Sequence, residues 1–97
     1  MSDISIIPEL WEIIDERVRN PSEQSYVSRL VRDEKGIDRV LEKVGEEATE
    51  FILAVKNGVP VRTNEEAADL LFHLLIALRV SGSSLENVLS ELKARRR

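Results

Sequence analysis

The chain has 97 residues, 42% of them hydrophobic and 33% charged, with no cysteine and a formal net charge of -4. That length supports one domain spanning 1–97, which buries roughly 60–65% of its unfolded surface. The composition excludes disulfides, thiolate metal sites and intrinsic disorder. The acidic balance argues against nucleic acid as a partner, no run is long enough for a membrane span, and the expected location is cytoplasmic. The only basic run, Arg95-Arg96-Arg97, sits at a helix C-terminus, where cations complement the macrodipole.

In chain order, Ile7, Leu10, Ile14 and Val18 step by three and four, predicting a first helix that ends near "RNPSE". The segment "SYVSRLVRDEKG" (25–36) reads as a short helix or turn inside a longer connection. From Ile37 a stripe of Ile37, Val40, Leu41, Val44, Ala48, Phe51, Ile52 and Val55 runs for about five turns. Gly58 is placed to end that helix and Pro60 to prevent its continuation, with Thr63 or Asn64 capping the next. The next helix contains "LLFHLLIAL" (70–78), apolar nearly all round, which implies a surface shared with a second subunit. Ser83 and Glu86 are spaced as a capping box for a last helix, whose apolar face is Leu85, Val88, Leu89 and Leu92. The expected fold is all-α, an antiparallel bundle of four to five helices completed by dimerisation, and no strand pattern competes.

Two acidic groups interrupt this pattern with the same shape, Glu46-Glu47-x-x-Glu50 and Glu65-Glu66-x-x-Asp69. Within each group the spacing puts like charges on one flank, so neither stabilises its own helix. A turn over 57–63 places Glu50 and Asp69 at one height, and helix axes about 8–10 Å apart let the carboxylates converge. Such a meeting is unfavourable unless a cation joins it. Hard oxygen donors without Cys or paired His favour Mg2+, with Mn2+ as an alternative. Mg2+ shared with a polyphosphate would serve in-line attack by water, one carboxylate taking the proton. Against this stands a solvated face, with Glu66 as the partner of a Thr63 cap. The residues alone leave both readings open.

The motif EExxE followed across a short hairpin by ExxD resembles the metal-binding signature of the all-α, MazG-type nucleoside triphosphate pyrophosphatases. "SYVSRL", "GIDRVLEKVGEEATE" and "NEEAADLLFHLL", in this order, are similar to the phosphoribosyl-ATP pyrophosphatases of histidine biosynthesis, over about Leu10 to Leu92. The resemblance implies a dimeric all-α enzyme that hydrolyses phosphoribosyl-ATP between its α and β phosphates, with Mg2+, to phosphoribosyl-AMP and pyrophosphate. It implies that Glu46, Glu47, Glu50, Glu66 and Asp69 bind metal, with Glu46, Glu47 and Glu50 as the catalytic set. Lys43, inside the word "KVGEE", is expected to touch a phosphate, although as a surface residue it would simply pair with Glu46 and Glu47. Arg29, Arg32 and Lys35 form a second basic group, from which Lys35, together with Tyr26, is expected to contact the nucleotide substrate. His73, one turn after Asp69, is expected to orient Asp69, and Trp11 to lie in the core or an interface. A departure from the family pattern is Phe72, where relatives often carry Tyr. Two alternatives are a house-cleaning deoxynucleotide pyrophosphatase of the same superfamily and a non-enzymatic dimerisation module.

Overall fold

The apolar periodicity is realised as helices and short connections throughout the computed structural model, which describes residues 3–96; Arg97 of the basic run lies outside them. Five helices follow in order: α1 (Ile6–Arg19), α2 (Tyr26–Val31), α3 (Ile37–Asn57), α4 (Pro60–Val80) and α5 (Leu85–Arg95). The expected all-α fold is present, with no strand among the described residues.

The two 21-residue helices α3 and α4 make the main packing of the molecule, an antiparallel hairpin each arm of which is roughly 30 Å long. Gly58 ends α3 in the left-handed conformation, φ 70° and ψ 32°, which costs a residue with a Cβ about 1–2 kcal/mol. α4 starts earlier than expected. Pro60 takes its first turn, so neither Thr63 nor Asn64 is a cap, and Val59 stands at the N-cap without a side-chain bond. Proline suits this place because its φ is already helical and its missing N–H would have had no intrahelical acceptor. The turn is therefore shorter, and the levels of the hairpin shift. Glu47 and Asp69 each lie eleven residues from Gly58, as Glu50 and Glu66 each lie eight. Asp69 thus faces the level of Glu47, not Glu50.

A second boundary also moves. Ser84, not Ser83, caps α5: its extended backbone lets its Oγ accept from the Asn87 N–H at 3.1 Å. Ser83 is instead drawn back toward α4, its N–H donating to the Leu78 carbonyl at 3.1 Å.

The core gathers Ile14, Val27, Leu30, Val40, Leu75, Ile76 and Leu85, with Trp11 and Phe72 half-buried against it. On α3 the buried row is Val40, Glu47 and Ala54, spaced by seven. The apolar stripe shares Val40 with that row, and Val44, Ala48 and Phe51 are half-buried, but its centre lies about 80° round the helix at 100° per residue. Ile37, Leu41, Ile52 and Val55 remain 45–63% exposed. Leu71 and Leu74 of α4, and Leu89 and Leu92 of α5, are likewise open. Among the described residues no single helix is long and apolar enough to cross a membrane.

α1 is tied to α4 by Asp15, whose carboxylate accepts from Arg79 Nε at 2.7 Å and from Arg19 Nε at 2.8 Å. Arg79 first and Arg19 second hold the Asp15 carboxyl below its ordinary value of 3.8. A depressed folded-state pKa contributes stability above the unfolded value and loses it as pH falls through the folded one. Asp15→Asn is accordingly expected to melt below the wild type at pH 7, with the gap closing as thermal scans are taken to pH values under 3.8.

A carboxylate triad on the α3–α4 hairpin

Because Glu47 occupies the row of α3 that faces α4, it is 6% exposed, and Glu66 of α4 is 4% exposed. Glu47, Glu66 and the exposed Asp69 each bring one carboxylate oxygen within 4.8 Å of the others. Each buried glutamate also carries a cation one turn earlier on its own helix. Lys43 Nζ lies 3.4 Å from Glu47 Oε1, and an Arg62 guanidinium nitrogen 2.9 Å from Glu66 Oε1. The second oxygens, Glu47 Oε2 and Glu66 Oε2, are buried with no hydrogen-bond partner among the described residues.

Leaving a buried acceptor unpaired costs about 1–3 kcal/mol, and more for a charged group. Two such atoms beside a third carboxylate are therefore poorly accommodated by the protein alone, and a positive ligand relieves both the repulsion and the desolvation. The donors are all hard carboxylate oxygens, which fits a divalent cation of the Mg2+ type. The cap role that competed for Glu66 is gone, since Thr63 lies inside α4.

Glu46 and Glu50 stand outside this triad. Glu46 is exposed and paired with Lys43 at 3.4 Å and Arg39 at 3.9 Å. Glu50 makes no ion pair among the described residues, and lines a cleft of about 260 Å3 with Leu53, Ala54, Asn57, Val59 and Arg62. Glu65 is exposed and bonded to Arg62 at 3.5 Å. Three carboxylates converge where up to six were expected.

Lys43 is half-buried between Glu46 and Glu47. Desolvation pulls its ammonium down, but the bonds to Glu47 and Glu46 outweigh it and hold the pKa above that of an ordinary lysine. Both the surface pairing and a place beside the triad are thus realised in one residue. Lys35 points elsewhere: its Nζ is 3.1 Å from Glu42, which it and Arg39 hold below the usual carboxylate range. Arg29 donates to the Glu23 carbonyl at 2.8 Å rather than turning to the triad.

Tyr26, at the start of α2, reaches α4. Its hydroxyl is 2.8 Å from His73 Nε2, while His73 Nδ1 is 2.7 Å from the backbone carbonyl of Asp69. His73 thus touches Asp69 through the main chain, not through the carboxylate it was expected to orient. Burial raises the Tyr26 phenol pKa, partly offset by the charges of Lys43 and Arg39. Sequence reasoning missed Arg62 and Arg39. Arg62 was signalled by its i,i+4 spacing to Glu66, and Arg39 by lying two turns before Glu46.

A family model described as phosphoribosyl-ATP pyrophosphohydrolase matches residues 7–96. The chain belongs to the phosphoribosyl-ATP pyrophosphohydrolase family. It is 63% identical over 95 residues to a phosphoribosyl-ATP pyrophosphatase of Methanoregula boonei, covering 98% of this chain and 91% of that protein. It is 60% identical over 97 residues to the phosphoribosyl-ATP pyrophosphatase of Methanoculleus marisnigri, covering both chains in full. A third relative of the same name, from Methanosphaerula palustris, is 59% identical over 97 residues, which cover 100% of this chain and 98% of that one. The phosphoribosyl-ATP pyrophosphohydrolase match takes in all but the first residue of α1, every other helix, the triad and the Tyr26–His73 pair.

Proposed function

We propose that this single domain is a Mg2+-dependent phosphoribosyl-ATP pyrophosphohydrolase of histidine biosynthesis, acting in the cytoplasm on a phosphorylated nucleotide. The observation that carries the metal-dependent reading is the pair of buried, unpartnered oxygens on Glu47 and Glu66 beside Asp69, in a chain of this family.

Glu47, Glu66 and Asp69 would hold the cation, with Glu46 and Glu50 of the EExxE motif at its margin. Bound there, Mg2+ (or Mn2+) would offset the charge of the triphosphate and lower the pKa of a water molecule. The other roles fall to the chain. Glu50, exposed and outside any ion pair among the described residues, accepts the proton of the attacking water. That water forms the new P–O bond as the bond between the α and β phosphates breaks, and pyrophosphate leaves. Glu46 keeps Lys43 in place, and the Lys43 ammonium, with three donors, binds a phosphate oxygen. Lys35 and Tyr26 meet outlying parts of the substrate.

The working unit is a homodimer. Ile37, Leu41, Ile52 and Val55 form an apolar flank on α3 that this protomer does not cover, and a second copy covers it. The substrate assignment is tested by comparing turnover of phosphoribosyl-ATP with a panel of deoxynucleoside triphosphates. The expected result is higher kcat/KM on phosphoribosyl-ATP; a preference for the deoxynucleotides would instead make the chain a house-cleaning pyrophosphatase.

A further inference from the structure

We propose that Tyr26 contacts the nucleoside part of the substrate rather than its phosphates, and that His73 is the positioning residue that imposes this choice. The inference rests on the nucleotide-hydrolase reading above and sharpens it.

The argument is an inventory of protons. His73 Nδ1 lies 2.7 Å from the Asp69 carbonyl oxygen, which can only accept, so Nδ1 carries the hydrogen. An uncharged imidazole with its hydrogen there presents a lone pair at Nε2, to which the Tyr26 hydroxyl, 2.8 Å away, donates. A phenol has one proton. With it committed to His73, the Tyr26 oxygen has only lone pairs left for anything arriving from solvent. Phosphate oxygens are acceptors and gain nothing from it, whereas ribose O–H and adenine N–H groups are donors and do. Phosphate binding at this end of the site therefore falls to Lys43.

The packing keeps the arrangement in place. His73 is 5% exposed and meets Phe72 and Tyr26 edge-on, with ring centroids 5.3 Å and 5.7 Å away. The Tyr26 ring stacks on Phe72 at 6.1 Å and 29°, yet 40% of its surface stays open. A nucleobase can stack on that open area, as bases do on exposed aromatic side chains. The phenylalanine at position 72 therefore contributes as backing for the ring.

The chain contains one tyrosine and one histidine, so both members of the pair can be read without ambiguity. Calorimetry with the full chain and Mg2+ uses two probes, inorganic pyrophosphate and ATP. Tyr26→Phe is expected to weaken ATP binding about three- to tenfold, the loss of one hydrogen bond, and to leave pyrophosphate unchanged. His73→Leu frees the phenol proton while leaving the oxygen's lone pairs in place, and is expected to tighten pyrophosphate binding; His73→Gln, which retains an acceptor, restores the wild-type pattern. Long-range proton–nitrogen NMR on His73 should report the Nδ1–H tautomer. The inference is overturned if Tyr26→Phe leaves ATP untouched or weakens both probes alike. It is equally overturned if His73→Leu weakens both, or if the Nε2–H tautomer is found. A wild-type chain that binds neither probe refutes the hydrolase reading itself, which is a separate result.

Discussion

Asp69→Asn is expected to lower turnover about a hundred- to thousandfold while leaving the metal-free protein as stable as the wild type or more stable. Asp69 is the informative member of the triad because it is exposed and makes no ion pair among the described residues. Removing its charge therefore breaks no salt bridge, and relieves repulsion from Glu47 and Glu66, whose nearest oxygens lie within 4.8 Å. Glu47 and Glu66 are less clean targets, since their Lys43 and Arg62 partners would be left with one carboxylate fewer. Steady-state kinetics and a melting curve in chelator read the two halves of the prediction. A variant that loses both activity and stability would mean that Asp69 holds the fold rather than a cation. One that keeps activity would remove it from the site.

Ile52→Glu is expected to convert the proposed dimer to monomer, weakening association by about a hundredfold or more. Ile52 is 63% exposed in the single chain and sits on the flank formed with Ile37, Leu41 and Val55. Fully burying a side chain of this kind contributes about 1.5–3 kcal/mol, so covering four half-open residues supplies part of the driving force for the proposed contact. A carboxylate at the centre of that contact would have to be desolvated without a partner. Light scattering after gel filtration reports the mass, and the melting temperature should lose its dependence on protein concentration. An unchanged mass and an unchanged melting profile would place the partner surface elsewhere.

These two predictions draw on different parts of what the sequence made legible. The helices were readable because apolar residues recur at three and four, and the end of α3 because Gly58 stands where a left-handed residue was needed. The start of α4 was not. Proline both stops one helix and opens another, and only the tight turn decides that Pro60 belongs to α4. That earlier start, by four or five residues, moved Asp69 from the level of Glu50 to the level of Glu47, and with it the composition of the triad. The apolar stripe of α3 misled for a related reason. Periodicity identifies which face is apolar, but not what lies against it. The row that meets α4 includes Glu47, a residue that no hydrophobic pattern would place inside. The Tyr26–His73 bond spans 47 residues of sequence, and local spacing carries no trace of it.

The account as a whole depends on a cation joining these carboxylates at the moment of hydrolysis. The most direct measurement is pyrophosphate release from phosphoribosyl-ATP, followed from excess chelator through a Mg2+ titration. The account predicts no release in chelator and a saturable rise as Mg2+ is added. Release that is equally fast in chelator, or absent at every Mg2+ concentration, would contradict it.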